Sequence, residues 1–252
     1  QLGLKLRLFP VKQEKEKKAH HLVDRIQAAV AYLPEVESAT DSDFGGWLAA
    51  NLPKFWGSHW RLLRLRPGAY LDTLRNAIHL SLKYRRGFWP KFKRVFFKDF
   101  LRAGYIALRV LENGRIQHLH GHFCHGSTTI TMFVSQMTGI PYSFTAHAKD
   151  IYLSDLNPGD LLPIKIRQAE FVATCTDANR LYLQQLCADG APIHTIYHGL
   201  DTSLFAPLPA PSEGQPLILS VGRFVAKKGF TFLVEACRSL KAQGLDFQCR
   251  IV

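Results

Sequence analysis

The chain has 252 residues, 47% of them hydrophobic, and a formal net charge of +12. That balance supports a packed core and excludes disorder over most of the length. No apolar run approaches the roughly 18 residues a membrane-spanning helix needs, and the five cysteines form no C-x-x-C pair, so they read as reduced, mostly core residues of a cytoplasmic protein.

Taken in chain order, Leu4 to Phe9 is expected to form a strand. Leu22, Val23, Ile26, Ala29, Val30 and Leu33 recur at helical spacing, with Pro34 as a stop. Residues 38–53, with Gly45-Gly46 and Pro53, read as a loop. From 54 to 111 the pattern is helical and amphipathic. Phe92, Phe96, Phe100, Ala103, Ala107 and Leu111 form one stripe, and Lys91, Arg94, Lys98 and Arg102 a parallel basic one.

The charge is concentrated here. Residues 54–109 hold 14 Lys/Arg and two acids, Asp72 and Asp99, which accounts for the whole +12; the remainder carries 18 of each sign. The same segment holds 12 of the chain's 29 aromatics, including Trp56, Trp60 and Trp89. Cations interleaved with aromatics suit a surface lying on an anionic bilayer. A helical excursion with its charges in water fits the pattern too. Single-stranded nucleic acid would also accept it, but the motifs downstream point elsewhere and no nucleic acid is expected.

After Asn113-Gly114 strands and helices alternate. The expected strands are 116–123, 142–146, 171–175 and 193–197. The expected helices are 128–137, 160–169 and one capped by Thr176 that runs to about Cys187. Repeated β-α units of this length mean a parallel sheet. Residues 206–216, APLPAPSEGQP, read as a linker. A second β-α-β follows, with strand 217–221, helix 229–243 and strand 247–252.

Within it Pro216 to Phe230, PLILSVGRFVAKKGF, is a strand ending in Gly222 before a helix start. Free backbone N–H groups and the helix dipole suit such a place to phosphate. Arg223 offers a forked grip and Lys228 a mobile charge. Elsewhere His118, His120 and His122 alternate along a strand and share one face. With Cys124 and His125 close by, their spacing is open to two readings: a metal site or a polar strand end.

HLHGHF (118–123), YSFTAHAKDIY (142–152), FVATCTDAN (171–179), YHGLDTSLFAP (197–207) and LSVGRFVAKKGF (219–230) occur in this order. Together they resemble a retaining glycosyltransferase of the GT-B fold, group 1 or family 4, of the colanic-acid or exopolysaccharide type. The resemblance covers about residues 116–252 well and 1–115 loosely. It implies an α/β, GT-B-like architecture in which two Rossmann-like domains face a cleft. Residues 1–207, with the basic aromatic insertion at about 54–111, would form a nearly complete acceptor-side domain. Residues 216–252 would begin the nucleotide-sugar domain.

The resemblance also implies roles. Gly222, Arg223 and Lys228 would hold the donor's diphosphate. His147 would sit by the donor sugar as the catalytic residue, without a catalytic base being assigned. His122 and Asp150 would line the acceptor side, with Asp150 alternatively orienting His147 or capping the next segment. Gly199 and Asp201 would turn the chain into the linker. No metal or other cofactor is expected, and the co-substrate would be a nucleotide-diphosphate sugar. The acceptor would be a polysaccharide or lipid-linked glycan, met at the inner face of the cell membrane. A nucleotide-sugar 2-epimerase of the same fold, or an inactive homologue acting as a membrane- or partner-binding module, are the alternatives.

Two landmarks of that family are missing from the sequence. Residues 1–20 hold no glycine-rich turn after a first strand, and no glutamate pair seven residues apart follows residue 230. The expectation is of a chain truncated at both ends and inactive alone.

Overall fold

A computed structural model describes residues 4–11, 27–36, 44–84, 94–199, 201–204 and 214–252. The chain divides into two compact units, Gln1–His198 and Gly199–Val252.

The first unit opens with a short parallel pair, β1 (Arg7–Leu8) and β2 (Ala29–Val30). The strand at 29–30 corrects the helix expected over 22–33, whose earlier part lies outside the described residues. Ala29 and Val30 also suit a strand, and pairing to Arg7 and Leu8 gives their backbone groups partners that local spacing cannot reveal. Three helices follow: α1 (Phe44–Leu65), α2 (Pro67–Lys83) and α3 (Val95–Asn113). α1 therefore starts within the loop expected over 38–53 and carries Pro53 in its interior. Burial of Trp47 and Phe55 on its inner side outweighs the backbone hydrogen bond that a helical proline forgoes.

The α3 stripe behaves as its spacing predicts. Phe96, Phe100, Ala103 and Ala107 are buried in one core with Phe55, Leu62, Leu80 and Phe133. Phe92 and Lys91 lie outside the described residues. Gly114, in the left-handed region at φ 63°, ends α3 where a side chain would be strained.

The sheet consists of β3 (Leu119–His122), β4 (Tyr142–Ala146), β5 (Val172–Thr174) and β6 (Ile193–Thr195), paired in that order and all parallel. Its crossovers are α4 (Gly126–Thr138), α5 (Ala148–Tyr152) with α6 (Leu161–Gln168), and α7 (Asp177–Leu186). Right-handed crossovers in sequential order keep the helices on one face. Tyr142, Phe144, Ala146, Val172 and Ile193 belong to that core. α4 packs close to β3 because Gly121 has no side chain: a Cβ there would lie 2.7 Å from Thr128 Oγ1. Thr176 caps α7, accepting from the Asn179 N–H at 3.2 Å.

The second unit holds β7 (Leu217–Ser220) and β8 (Gln248–Ile251), parallel, with α8 (Phe230–Ala242) between them. None of its described residues is buried, as expected when two strands and one helix have no second layer to close a core.

Candidate functional site

Alternation along the strands turns one set of side chains away from the helices. It includes His118 before β3, His120 on β3, Ser143 and Thr145 on β4, Phe171 before β5 and His194 on β6. His118 Nε2 and His120 Nδ1 lie 2.7 and 2.8 Å from Ser143 Oγ, and His120 Nε2 lies 2.9 Å from Thr145 Oγ1. The rings of His118, His120 and His194 all pack on Phe171. Hydroxyl partners and ring contacts thus engage both His118 and His120. Burial, with neighbouring His122 and His118, holds the His120 pKa below its usual value.

The carboxyl ends of the strands, where parallel sheets bind ligands, carry a different group. His122 ends β3, His147 follows β4, Cys175 follows β5 and His198 lies beyond β6. His122 Nε2 is 3.4 Å from His147 Nε2. The His147 and His198 rings stack at 5.6 Å, 13° from parallel. A ligand atom from each of His147, Cys175 and His198 falls within 4.8 Å of the others. The His122 pKa is lowered, first by burial and next by the adjacent His147.

The loop from β3 to α4 is shaped for this. Phe123 adopts φ 73°, a costly conformation for a bulky residue. The Ser127 and Thr128 hydroxyls fix it by donating to the Phe123 carbonyl at 2.8 and 2.7 Å. Its ring lies 4.7 Å from that of His122 and 5.0 Å from that of His147. Asp150, 1% exposed, accepts from the His147 N–H at 3.1 Å and from the Cys124 N–H. Its carboxylate thus ties the β4 exit turn to the β3 loop.

Beneath that loop lies a buried ionic group. Lys165 Nζ donates to the carbonyls of Cys124 and His125 and to Asn157 Oδ1, at 2.9, 3.0 and 2.8 Å. Burial brings its pKa down to about 8, against the opposing pull of Cys124, Asp99 and Asp150. Asp99, with Arg102 Nη1 at 3.7 Å, is pushed up to about 7 by burial, which Arg102 and Lys165 oppose. The Cys124 thiol is driven far above its usual range by burial and by Asp150, which makes it inert as a nucleophile.

In the second unit, Gly222 follows β7 and its N–H donates to the Val252 carbonyl at 2.8 Å. α8 begins at Phe230, next to the expected start at 229, and is preceded by a 3₁₀ turn, Ala226–Lys228, that closes on left-handed Gly229. Three-residue closure is the tighter geometry when a glycine must reverse the chain. The Lys228 side chain folds back across the turn, its Cδ and Cε 3.5 and 3.6 Å from where a Gly222 Cβ would stand. Arg223 is exposed, and among the described residues no acid pairs with either cation. Downstream of β6, Asp201 Oδ1 accepts from the Ser203 N–H and hydroxyl at 3.1 and 2.6 Å, closing a local turn.

Sequence reasoning passed over Cys175 and His198 as candidate site residues, and over Lys165, Asp99 and Asn157 beneath the β3–α4 loop. Lys165 did leave a signal: it is the one cation among Leu161, Leu162, Ile164 and Ile166 on α6.

The chain is similar to a Salmonella typhimurium (strain LT2) protein named as the colanic acid biosynthesis glycosyltransferase WcaL. The two are 44% identical over 198 residues, covering 77% of this chain and 42% of the relative. It is also similar to the protein of that name from Escherichia coli (strain K12), 34% identical over 87 residues, 34% of this chain and 21% of the relative. The chain therefore spans less than half the length of these curated relatives. No protein-family model matches it.

Proposed function

We propose that the chain is part of a retaining glycosyltransferase of the GT-B type, group 1 or family 4. It moves a hexose from a nucleotide-diphosphate sugar to a polysaccharide or lipid-linked glycan. The support that carries most weight is the 44% identity, over 198 residues, to a relative named as a glycosyltransferase of colanic acid biosynthesis. The carboxyl-end placement of His122 and His147, and the unpaired Arg223 and Lys228 beside a glycine turn, agree with it.

Each group has a task in this proposal. The leaving nucleoside diphosphate gains negative charge as the glycosidic bond breaks. Arg223 and Lys228 meet that charge, which stabilises the transition state more than the ground state. The Gly222 turn lets the backbone approach the diphosphate. His147 binds a hydroxyl of the donor sugar, with its ring held by His122 and Phe123, and Asp150 sets its backbone position. His122 faces the acceptor. The reaction is proposed to need no metal or organic cofactor. It takes place at the inner face of the cell membrane, and the basic aromatic helices rest on the anionic lipid surface. Among the described residues no helix is long and apolar enough to cross a membrane.

The test uses the full-length protein, a panel of nucleotide sugars and an acceptor extract, and follows release of nucleoside diphosphate. Acceptor-dependent release is expected, reduced roughly 100-fold or more in Arg223→Ala. Release that proceeds equally without acceptor would favour a 2-epimerase instead. Absence of release from every donor would sink the proposal.

A further inference from the structure

We propose that His147, Cys175 and His198 form a binding site for one thiophilic divalent cation of the zinc class. The proposal departs from the expectation that the chain holds no metal, and an ion bound there would compete with the sugar-binding role proposed for His147.

The three residues exit adjacent parallel strands, β4, β5 and β6, whose register places Ala146, Thr174 and Thr195 side by side. Their ligand atoms lie within 4.8 Å of one another. Bonds of about 2.0–2.3 Å around a tetrahedral ion put ligand atoms roughly 3.3–3.7 Å apart. Closing the remaining gap needs a side-chain rotation, and His198 is exposed and free to make it. One thiolate with two imidazoles is a donor set that zinc, cobalt(II) and cadmium accept and that hard oxygen-seeking ions do not. Three protein ligands leave a fourth position for water.

The neighbours complete the arrangement. His122 Nε2 lies 3.4 Å from His147 Nε2, and the His147 side chain also faces the Asp150 N–H in the α5 capping box, so an ion has to displace one of these partners. The partner that stays fixes the orientation and tautomer of a ligating histidine. The Cys175 sulfur has the Asn179 amide 3.9 Å away, and that amide also donates to Thr174 Oγ1 at 3.2 Å. Tyr152 in turn donates to Asn179 Oδ1 at 3.1 Å. On binding, the Cys175 thiol releases its proton to solvent and the thiolate joins the ion. The site would tie the ends of three strands together and occupy the lone pair with which His147 would otherwise meet a substrate.

Cobalt(II) titrated into the reduced 252-residue chain tests this. Expected are a near-ultraviolet thiolate-to-cobalt band and visible bands that saturate at about one equivalent. Cys175→Ser should abolish the ultraviolet band. His198→Ala should weaken binding at least about tenfold. Zinc should raise the melting temperature of the parent chain and not that of Cys175→Ser, with circular dichroism confirming that the variants fold. The other thiols that are not buried lie in the second unit, where Cys249 contacts Cys237; a Cys237→Ser/Cys249→Ser variant should keep the band. Loss of the band in that double variant, or its persistence in Cys175→Ser, would overturn the proposal.

Discussion

Gly104 and Asp99 show how single atoms constrain the helical layer. His59 Nε2 lies 3.0 Å from the Leu101 carbonyl and Nδ1 3.0 Å from the Tyr70 hydroxyl. A carbonyl only accepts, so Nε2 carries the hydrogen and Nδ1 accepts from Tyr70. Burial keeps the His59 pKa low, which preserves this neutral form. The ring occupies the space of a missing side chain: a Cβ on Gly104 would lie 2.3 Å from His59 Cε1. Gly104→Ala should therefore cost about 1–3 kcal/mol, read as a lower urea midpoint. Better helix propensity alone would move the midpoint the other way. Asp99 predicts a pH effect. Its folded pKa is raised to about 7 from an unfolded value near 3.9, so the native state binds more protons between those values. Stability contributed by this group then falls as pH rises through that window. Asp99→Asn removes the titration, so the melting temperature of the variant minus that of the parent should become more positive from pH 5 to pH 8. An unchanged difference would show that Asp99 stays ionised in the fold.

At the scale of elements, the carboxyl-end loops depend on α6 through Lys165. Removing its ammonium would leave the Cys124 and His125 carbonyls and Asn157 Oδ1 without their donor. Loss of one side of a buried charged network costs about 3–5 kcal/mol. Lys165→Met should show a loss of that size in chemical unfolding, with the amides of Cys124 to Ser127 exchanging faster with solvent. Little of this was legible in the sequence. Periodicity revealed the sheet strands at 142–146 and 172–174 and the α3 stripe, because each buries one continuous face and the repeat distance is local. It misplaced residues 29–33, where pairing across about twenty residues decides the state, and 44–53, where Trp47 and Phe55 make a helix of a stretch marked by glycine and proline. His147, His122 and Asp150 were singled out because they stand in motifs that carry the family resemblance. Cys175 and His198 were not linked to them, since 23 residues and a whole β-α unit separate two side chains that only sheet register brings together.

For the molecule as a whole, the question is what the excess positive charge does. Part of it is spent internally. Arg61 pairs with Glu112 at 2.7 Å, Arg75 with Asp72 at 3.0 Å, Lys83 with Asp160 at 2.8 Å and Arg102 with Asp99 at 3.7 Å. Arg102, expected in an open basic stripe, is thus mostly covered. What stays outside is more telling. On α1, Trp56 and Trp60 are 59% and 45% exposed and stack at 6.4 Å, with Arg64 4.6 Å over the Trp60 ring. On α2, Leu71, Ile78 and Leu82 are exposed near Arg75. Indole rings beside cations favour the boundary between lipid headgroups and acyl chains, where the ring is half desolvated and the charge meets anionic phosphate. Sedimentation with vesicles of mixed anionic and neutral phospholipid should show binding that weakens as salt rises. Trp56→Ala/Trp60→Ala should lower the partition coefficient at least about tenfold, since two exposed rings lose their apolar contact area. Both side chains face solvent, so the fold should survive the change. If the double variant binds as well as the parent, charge alone drives association and the indoles are bystanders. If single-stranded nucleic acid displaces the vesicles at equal phosphate, the same cations and rings serve a different polyanion.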